Sequence, residues 1–212
     1  MFNVILFDLD GTICDTNQLI LESLRCVLSS VNIADLSDTN LLMHWGKPLE
    51  YQLHQFLPGR DDYDELTKKY REFYRDNQSI YLKEFTGIRE MLVKLAETEK
   101  VMGIVTSKYT IFATETLDAM DYSKFFQFVI GCDQVAKVKP NPEAILKALN
   151  ITGNKNAESI YIGDNTDDII AAKRSSISSA VVGWSLTNKT ILLNESPDFF
   201  FETPDDILKI SG

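Results

Sequence analysis

Near its start the chain reads Val4-Ile5-Leu6-Phe7-Asp8-Leu9-Asp10-Gly11-Thr12, an apolar run that leads directly into two aspartates and then into Gly-Thr. The run predicts a buried strand of a parallel sheet, with both carboxylates at its C-terminal end, where open α/β sheets bind ligands. Because side chains alternate along a strand, Asp8 and Asp10 are expected on the same side. Gly11 then lets the chain turn sharply and lets a ligand approach the backbone. The alternative is a strand followed by a structural Asp-Gly turn.

The composition is that of an acidic globular protein. The 212 residues are 44% hydrophobic and 25% charged, and the formal net charge is −10. This charge argues against nucleic acid or an anionic membrane as a partner, because both require a basic surface. A small anionic substrate remains compatible with it, since such a substrate needs only a local cation or a metal ion.

The cysteines and the apolar runs bear on the cellular location. Cys14, Cys26 and Cys132 are few and scattered, which predicts reduced thiols and neither a disulfide framework nor a zinc site. The apolar start is too short for a signal peptide, and no apolar run approaches the ~20 residues of a membrane span. We therefore expect a cytoplasmic protein with no membrane partner. The sequence does not distinguish a monomer from a homodimer.

The chain after Gly11 divides into a helical block and a part in which strands and helices alternate. Residues 14–82 show helical periodicity, in segments that end near residue 31 and then cover 35–45, 49–57 and 60–77. Strands are then predicted at Val101–Val105, Phe126–Ile130, Ser159–Ile162, Ala180–Val182 and Phe199–Phe201, and helices at Ile88–Ala96, Ile111–Met120, 143–149, Asp167–Arg174 and 205–210. The alternation predicts an α/β protein with helices on both faces of a parallel sheet. We expect a core domain from residues 1–13 and 83–212, with residues 14–82 inserted as an all-helical cap domain.

Polar side chains lie at or after the ends of four predicted strands. Parallel strands present their C-terminal ends at one edge of a sheet, so these side chains are expected to share one crevice. The candidates, in chain order, are Asp8 and Asp10, Thr106 and Ser107, Lys139, and Asp164 with Asp168.

This set of residue types suits phosphoryl transfer. Asp8 and Asp164 are the expected ligands of Mg²⁺, a hard cation, with the backbone carbonyl of Asp10 as a third. A carboxylate oxygen of Asp8 could attack phosphorus and form an aspartyl-phosphate. Asp10 could protonate the leaving group and later deprotonate a water. Thr106 and Lys139 would donate hydrogen bonds to the phosphoryl oxygens.

The remaining candidates have supporting roles. Asp168 is expected to orient Lys139 or a metal-bound water, and Gly11, Thr12 and Ser107 are expected to contribute to phosphate binding. Structural alternatives stay open for several of these residues, because aspartate and threonine also cap helices. The tryptophans and histidines are assigned no ligand role; they are His44, Trp45, His54 and Trp184.

The same residues resemble the phosphatases of the haloacid dehalogenase superfamily, close to the phosphoglycolate phosphatase and pyrophosphatase-like group. Asp8-Leu9-Asp10-Gly11-Thr12 matches the first motif of that family, and Thr106 matches the second. Lys139 with Pro140 matches the third, and Gly163-Asp164 with Asp168-Ile169 matches the fourth. The resemblance covers nearly the whole chain, including the position of the helical insertion.

The resemblance implies a Rossmann-like core, an Mg²⁺-dependent aspartyl-phosphate mechanism and small phosphorylated metabolites as substrates. It also suggests that Lys47, in Gly46-Lys47-Pro48-Leu49, contacts the substrate, although a helix break with a solvated lysine explains this sequence as well. A phosphatase of phosphoglycolate-like substrates is the leading hypothesis. The alternatives are a sugar phosphomutase of the same family and a non-catalytic binding protein.

Overall fold

The structure is a computed structural model that describes residues 2–33, 36–153 and 158–210. The chain forms two compact units, one made of Met1–Cys14 with Glu84–Gly212 and the other of Asp15–Lys83. These divisions lie one residue after the boundaries expected from the sequence. Among the described residues, no helix combines the length and the apolar character that crossing a membrane requires.

The first unit is built on a parallel sheet. The strands of the described residues are β1 (Val4–Phe7), β2 (Cys14–Asp15), β3 (Lys83–Glu84), β4 (Val101–Val105), β5 (Phe128–Ile130), β6 (Ser159–Gly163), β7 (Ser178–Val182) and β8 (Phe199–Phe201). Six of them form one sheet in the order β5-β4-β1-β6-β7-β8, with every neighbouring pair parallel, while β2 and β3 pair separately. Phe7, the last residue of β1, lies opposite Ile104 of β4 and Ile162 of β6. Residues that follow these three strands therefore emerge side by side at one edge of the sheet.

The second unit is helical. Its helices are α1 (Asn17–Ser30), α2 (Asp38–Leu41), α3 (Leu49–Phe56), α4 (Tyr63–Asp76) and α5 (Gln78–Tyr81). Leu24 and Leu28 of α1 belong to one buried cluster with Leu53 of α3 and Tyr70 of α4. These residues stand at the helical spacing seen in the sequence, so the predicted periodicity reports the faces that pack together.

One helix of this unit is shorter than the sequence suggested. The segment predicted as a helix over 35–45 contains α2 and a single 3₁₀ turn, Leu42–His44. Ser37 sets the start of α2, because its hydroxyl accepts a hydrogen bond from the Asn40 N–H at 3.3 Å. Asp35 lies outside the described residues.

Helices of the first unit pack on the sheet. They are α6 (Ile88–Ala96), α7 (Thr110–Ala119), α8 (Glu143–Thr152), α9 (Thr166–Arg174), α10 (Lys189–Asn194) and α11 (Pro204–Lys209). All four side chains of β1 are completely buried, and Val4 and Leu6 lie in one core cluster with Ile145 of α8 and Ala171 of α9. Successive side chains of a strand point to opposite faces, so both faces of β1 are covered and its apolar run is explained. The predicted α/β class is confirmed.

Several elements of the structure differ from the sequence prediction. Strand β7 begins at Ser178 and helix α8 extends to Thr152, both beyond the predicted bounds, and β3 was not predicted. Strand β5 begins at Phe128, because residues 123–125 form a 3₁₀ turn before it. Helix α10 was not predicted: it has six residues and buries only Leu192, which leaves no periodic apolar stripe. The two-residue strand β2 falls in a region that was predicted to contain helices only.

Candidate active site

Asp8 directly follows the central strand and is almost completely buried. Its N–H continues the sheet by donating to the Ile162 carbonyl at 2.8 Å. Its Oδ1 lies 3.1 Å from the Lys139 Nζ but has no partner in hydrogen-bond geometry among the described residues. Burial raises the pKa of the Asp8 carboxyl to about 7, against the attraction of Lys139 and with the repulsion of Asp168 and Asp10.

Asp164 follows β6, the neighbouring strand, and is also buried. Its N–H donates to Asp168 Oδ2 at 3.1 Å, while its own Oδ2 is buried with no hydrogen-bond partner among the residues that the structure describes. Burial raises the pKa of the Asp164 carboxyl well above its ordinary value, and the charges of Asp168 and Asp8 raise it further. An ionised Asp164 is therefore costly unless a cation compensates it.

Gly11 makes room for the Asp164 carboxylate, and Gly163 makes room for that of Asp168. A Cβ at Gly11 would lie 2.4 Å from Asp164 Oδ2, and the φ angle of Gly11 is +77°, a value that favours glycine. A Cβ at Gly163 would lie 2.3 Å from Asp168 Oδ2. The turn after β1 and the loop after β6 thus approach each other closely enough to exclude a methyl group.

Lys139 lies in a buried network with Asp168 and Tyr161. Its Nζ donates to Asp168 Oδ1 at 2.6 Å and to the Tyr161 hydroxyl at 2.9 Å. The Tyr161 hydroxyl in turn donates to the Val105 carbonyl at 2.7 Å. Burial alone would lower the pKa of the Lys139 ammonium, but Asp168 and Asp8 outweigh it and hold the pKa well above the usual value. Lys139 is therefore a permanent cation of the site.

Asp168 is saturated with hydrogen-bond donors. Its Oδ1 accepts from Lys139, and its Oδ2 accepts from the N–H groups of Asp164 and Asn165, the latter at 3.0 Å as part of a capping box of α9. Ligand atoms of Asp8, Asp164 and Asp168 all lie within 4.8 Å of one another, which suits a metal ion. We favour Asp8 and Asp164 as the ligands, because the oxygens of Asp168 are already engaged.

Asp10 is paired with Lys108, which was not among the residues predicted for the site. Asp10 Oδ1 accepts a hydrogen bond from the Lys108 Nζ at 2.7 Å, and both side chains are partly exposed. Lys108 follows Thr106 and Ser107 directly, so its position after the end of β4 was the available signal. Tyr161 was missed as well, because an inward-facing tyrosine in a strand is usually part of the core.

The hydroxyl and N–H groups that were predicted to bind phosphate differ in whether they already have a hydrogen-bond partner. The Thr106 hydroxyl is buried and accepts from the Lys108 N–H at 3.2 Å. The hydroxyls of Ser107 and Thr12 are buried without a hydrogen-bond partner among the described residues. The N–H groups of Gly11 and Thr12 bond within the turn itself, to the carbonyls of Cys14 and Leu9, so they are already engaged.

Lys47 belongs to the helical unit, in the loop before α3. Its N–H donates to the His44 carbonyl at 3.2 Å, and its carbonyl accepts from Gln52 Nε2 at 2.8 Å. The Lys47 backbone is thus held in a turn of that unit, while the other candidates lie on the sheet unit.

The donor set fits a hard divalent cation. Asp8 Oδ1 and Asp164 Oδ2 are buried carboxylate oxygens without hydrogen-bond partners among the described residues, and they belong to the one acidic cluster found there. Hard cations such as Mg²⁺ bind carboxylate oxygens, substrate oxygens and water. A cation between the two loops would supply the positive charge that balances these two carboxylates.

The sequence profile of the haloacid dehalogenase-like hydrolases matches residues 5–182. The chain belongs to this family, and it is a hydrolase of the haloacid dehalogenase type. The match includes the acidic turn after β1, the strand β6 and the aspartates that follow it.

Individual relatives extend this similarity over the whole chain. The chain is 34% identical to the pyrophosphatase PpaX of Anoxybacillus flavithermus over 210 residues, which cover 99% of this chain and 97% of that protein. It is also 34% identical to the pyrophosphatase PpaX of Listeria monocytogenes serotype 4a, covering 97% of this chain and 94% of that protein. Among solved structures, a predicted phosphoglycolate phosphatase from Haemophilus somnus superimposes with a TM-score of 0.91 at 21% identity, covering 100% of this chain and 98% of that one. At that identity the likeness supports the fold alone.

Proposed function

We propose that this protein is a Mg²⁺-dependent phosphatase of small phosphorylated metabolites that works through an aspartyl-phosphate intermediate. The observation that supports it best is a pair of buried carboxylate oxygens, Asp8 Oδ1 and Asp164 Oδ2, that accept no hydrogen bond from the described residues and lie in one acidic cluster beside the Lys139 ammonium. A purely structural ion network would satisfy these oxygens. Here they are left available for a cation and for a reacting phosphorus.

Asp8 is the proposed nucleophile. One of its carboxylate oxygens would bond to phosphorus while the bond from phosphorus to the leaving group breaks. Asp10 would donate a proton to the leaving oxygen and later take one from the water that hydrolyses the acyl phosphate. Lys108, which holds Asp10 Oδ1 at 2.7 Å, would keep that carboxyl in place for both transfers.

The phosphoryl oxygens need donors and positive charge. Lys139 supplies a buried ammonium, and the hydroxyls of Thr106 and Ser107 lie on the adjacent loop after β4. Asp8, Asp164 and the backbone carbonyl of Asp10 would hold Mg²⁺. The bound ion would neutralise charge on the phosphoryl group.

The substrate class follows from the site and from the relatives. Inorganic pyrophosphate is the first candidate, because two relatives at 34% identity are named pyrophosphatases. Phosphoglycolate is the second, because the family motifs resemble those of the phosphoglycolate phosphatase group. The helical unit, residues 15–83, is proposed to act as the cap domain that sets substrate choice, with Lys47 as a substrate contact.

A substrate screen tests this function. The full-length protein is incubated with pyrophosphate, phosphoglycolate, nucleoside monophosphates and sugar phosphates, with Mg²⁺ and separately with EDTA, and inorganic phosphate is measured. We expect phosphate release that requires Mg²⁺ and is lost in Asp8→Asn. Formation of an isomerised sugar phosphate without net phosphate release would instead identify a mutase. Absence of turnover on every substrate, combined with tight binding of one of them, would identify a binding protein.

A further inference from the structure

The loop that follows β7 has no carboxylate and received no role from the sequence. It consists of Gly183, Trp184 and Ser185, and we call it the β7 loop. Its first residue is fixed to the sheet, because the Gly183 N–H donates to the Phe201 carbonyl at 2.7 Å. Its last residue is fixed by a turn, since the Ser185 hydroxyl accepts from the Thr187 N–H at 2.9 Å. The β7 loop is therefore well placed to hold other segments.

The β7 loop donates one hydrogen bond to each of the two loops that form the acidic site. Trp184 Nε1 donates to the Thr12 carbonyl at 3.1 Å, in the turn that follows Asp8 and Asp10. The Ser185 Oγ donates to the Asp164 carbonyl at 2.6 Å. Adjacent residues of one loop thus contact the backbone of both acidic loops.

These contacts complete the restraint on Asp164. Its N–H is held by Asp168 Oδ2, and its carbonyl is held by Ser185, so the backbone is fixed on both sides of the side chain. The carboxylate itself packs against Gly11, where a Cβ would come within 2.4 Å of its Oδ2. The distance between the two acidic loops therefore depends on the segment that binds both of them.

We propose that Trp184 and Ser185 are positioning residues that set the spacing of the two acidic loops and thereby the affinity of the site for a divalent cation. The inference rests on the proposed function only in assuming that Asp8 and Asp164 hold the cation. Each would act through the backbone carbonyl to which it donates, that of Thr12 for Trp184 and that of Asp164 for Ser185. Replacing a residue that hydrogen-bonds to a metal ligand commonly changes the metal affinity by about tenfold or more.

Calorimetric titration of the full-length protein with Mg²⁺ alone tests the proposal without any substrate. We expect Ser185→Ala to raise the Mg²⁺ dissociation constant about tenfold, and Ser185→Thr, which keeps the hydroxyl, to restore most of the affinity. Trp184→Phe removes the indole N–H but keeps an aromatic ring, and a roughly threefold increase is expected from the loss of one neutral hydrogen bond. Ser30→Ala is the matched control, because it deletes a hydroxyl-to-carbonyl bond of 2.6 Å in the helical unit.

The outcomes separate this proposal from the function itself. If the wild-type protein binds Mg²⁺ and both Ser185→Ala and Trp184→Phe bind it equally well, the β7 loop does not set the spacing, and the proposed phosphatase stands. If the wild-type protein binds no Mg²⁺, the proposed cofactor is wrong, and this inference is lost with it. Should Ser185→Ala fail to fold, Trp184→Phe and Ser185→Thr decide the matter by the same titration.

Discussion

Replacement of Asp8 by asparagine should abolish turnover and, without metal, make the protein more stable. The Asp8 carboxyl is buried, and its Oδ1 accepts no hydrogen bond among the described residues. Asparagine has nearly the same shape as a protonated aspartic acid but cannot ionise. The substitution therefore removes the nucleophile and, at neutral pH and above, also removes a poorly compensated buried charge.

The size of the effect follows from the pKa. Burial raises the pKa of Asp8 from an ordinary value of 3.8 to about 7. At about 1.4 kcal/mol for each pH unit, this rise corresponds to about 4 kcal/mol between the neutral and the ionised forms. Because the pKa of Asp8 is raised in the native state, the wild-type protein is most stable with respect to this group below pH 3.8 and loses stability as the pH rises through about 7. Structural relaxation would reduce this penalty. We therefore expect Asp8→Asn to increase the free energy of unfolding by about 2 to 4 kcal/mol at pH 8 in EDTA.

Thermal unfolding in EDTA measures this gain. For a chain of this size the stabilisation should raise the melting temperature by roughly 5–10 °C at pH 8. The difference should shrink as the pH falls and disappear below pH 3.8, where Asp8 is protonated in both the native and the unfolded state. Asp61→Asn, at an exposed aspartate of the helical unit, is the control and should change stability by less than about 0.5 kcal/mol. Lower stability of Asp8→Asn than of the wild-type protein at pH 8 in EDTA, or continued hydrolysis of substrate by this variant, would contradict the prediction.

Three further predictions concern the same site. Lys108→Met should lower kcat about tenfold, because Asp10 loses its 2.7 Å partner, and Lys108→Arg should recover part of the rate; equal rates in all three proteins would remove Lys108 from the mechanism. Gly11→Ala should weaken Mg²⁺ binding at least tenfold in a calorimetric titration, because the new Cβ would displace Asp164. Gly59→Ala has the same φ of +77° and open space around its Cβ, so it should cost only about 1–2 kcal/mol of backbone strain and leave Mg²⁺ binding unchanged. The Mg²⁺ affinity itself should increase from pH 6 to pH 8, because Asp8 loses its proton near pH 7, and a pH-independent affinity would contradict the assigned ligand.

Much of the architecture could be predicted because it depends on local periodicity. The bounds of β4, β8 and α6 are those expected from the sequence, and each is a short apolar run or a clear helical stripe. Because parallel strands end at one edge of a sheet, the sequence also predicted that residues far apart in the chain lie close together. Asp8, Lys139, Asp164 and Asp168 do lie in one buried cluster, with Lys139 2.6 Å from Asp168.

The residues that escaped prediction act through contacts that no periodic pattern reports. Tyr161 looks like a core residue of a strand, yet its hydroxyl joins Lys139 to the Val105 carbonyl. Trp184 and Ser185 follow a strand without any acidic residue, and their partners are backbone carbonyls, which every sequence possesses. Such contacts depend on the register of neighbouring strands and on loop geometry, and a single sequence does not specify either directly.

The distribution of hydrogen-bond donors distinguishes this cluster from a structural ion network. Asp168 accepts hydrogen bonds from a lysine and two backbone N–H groups. Asp8 and Asp164 each keep a buried oxygen that accepts no hydrogen bond from the described residues, although the Lys139 Nζ lies 3.1 Å from that of Asp8. The amino-acid composition does not require this difference in the number of accepted hydrogen bonds, since the same donors could have been shared among the three carboxylates. The protein therefore retains an electrostatic cost at two aspartates while it satisfies the third. A bound cation would offset that cost, and removing the charge of Asp8 should therefore stabilise the metal-free fold and eliminate catalysis at the same time.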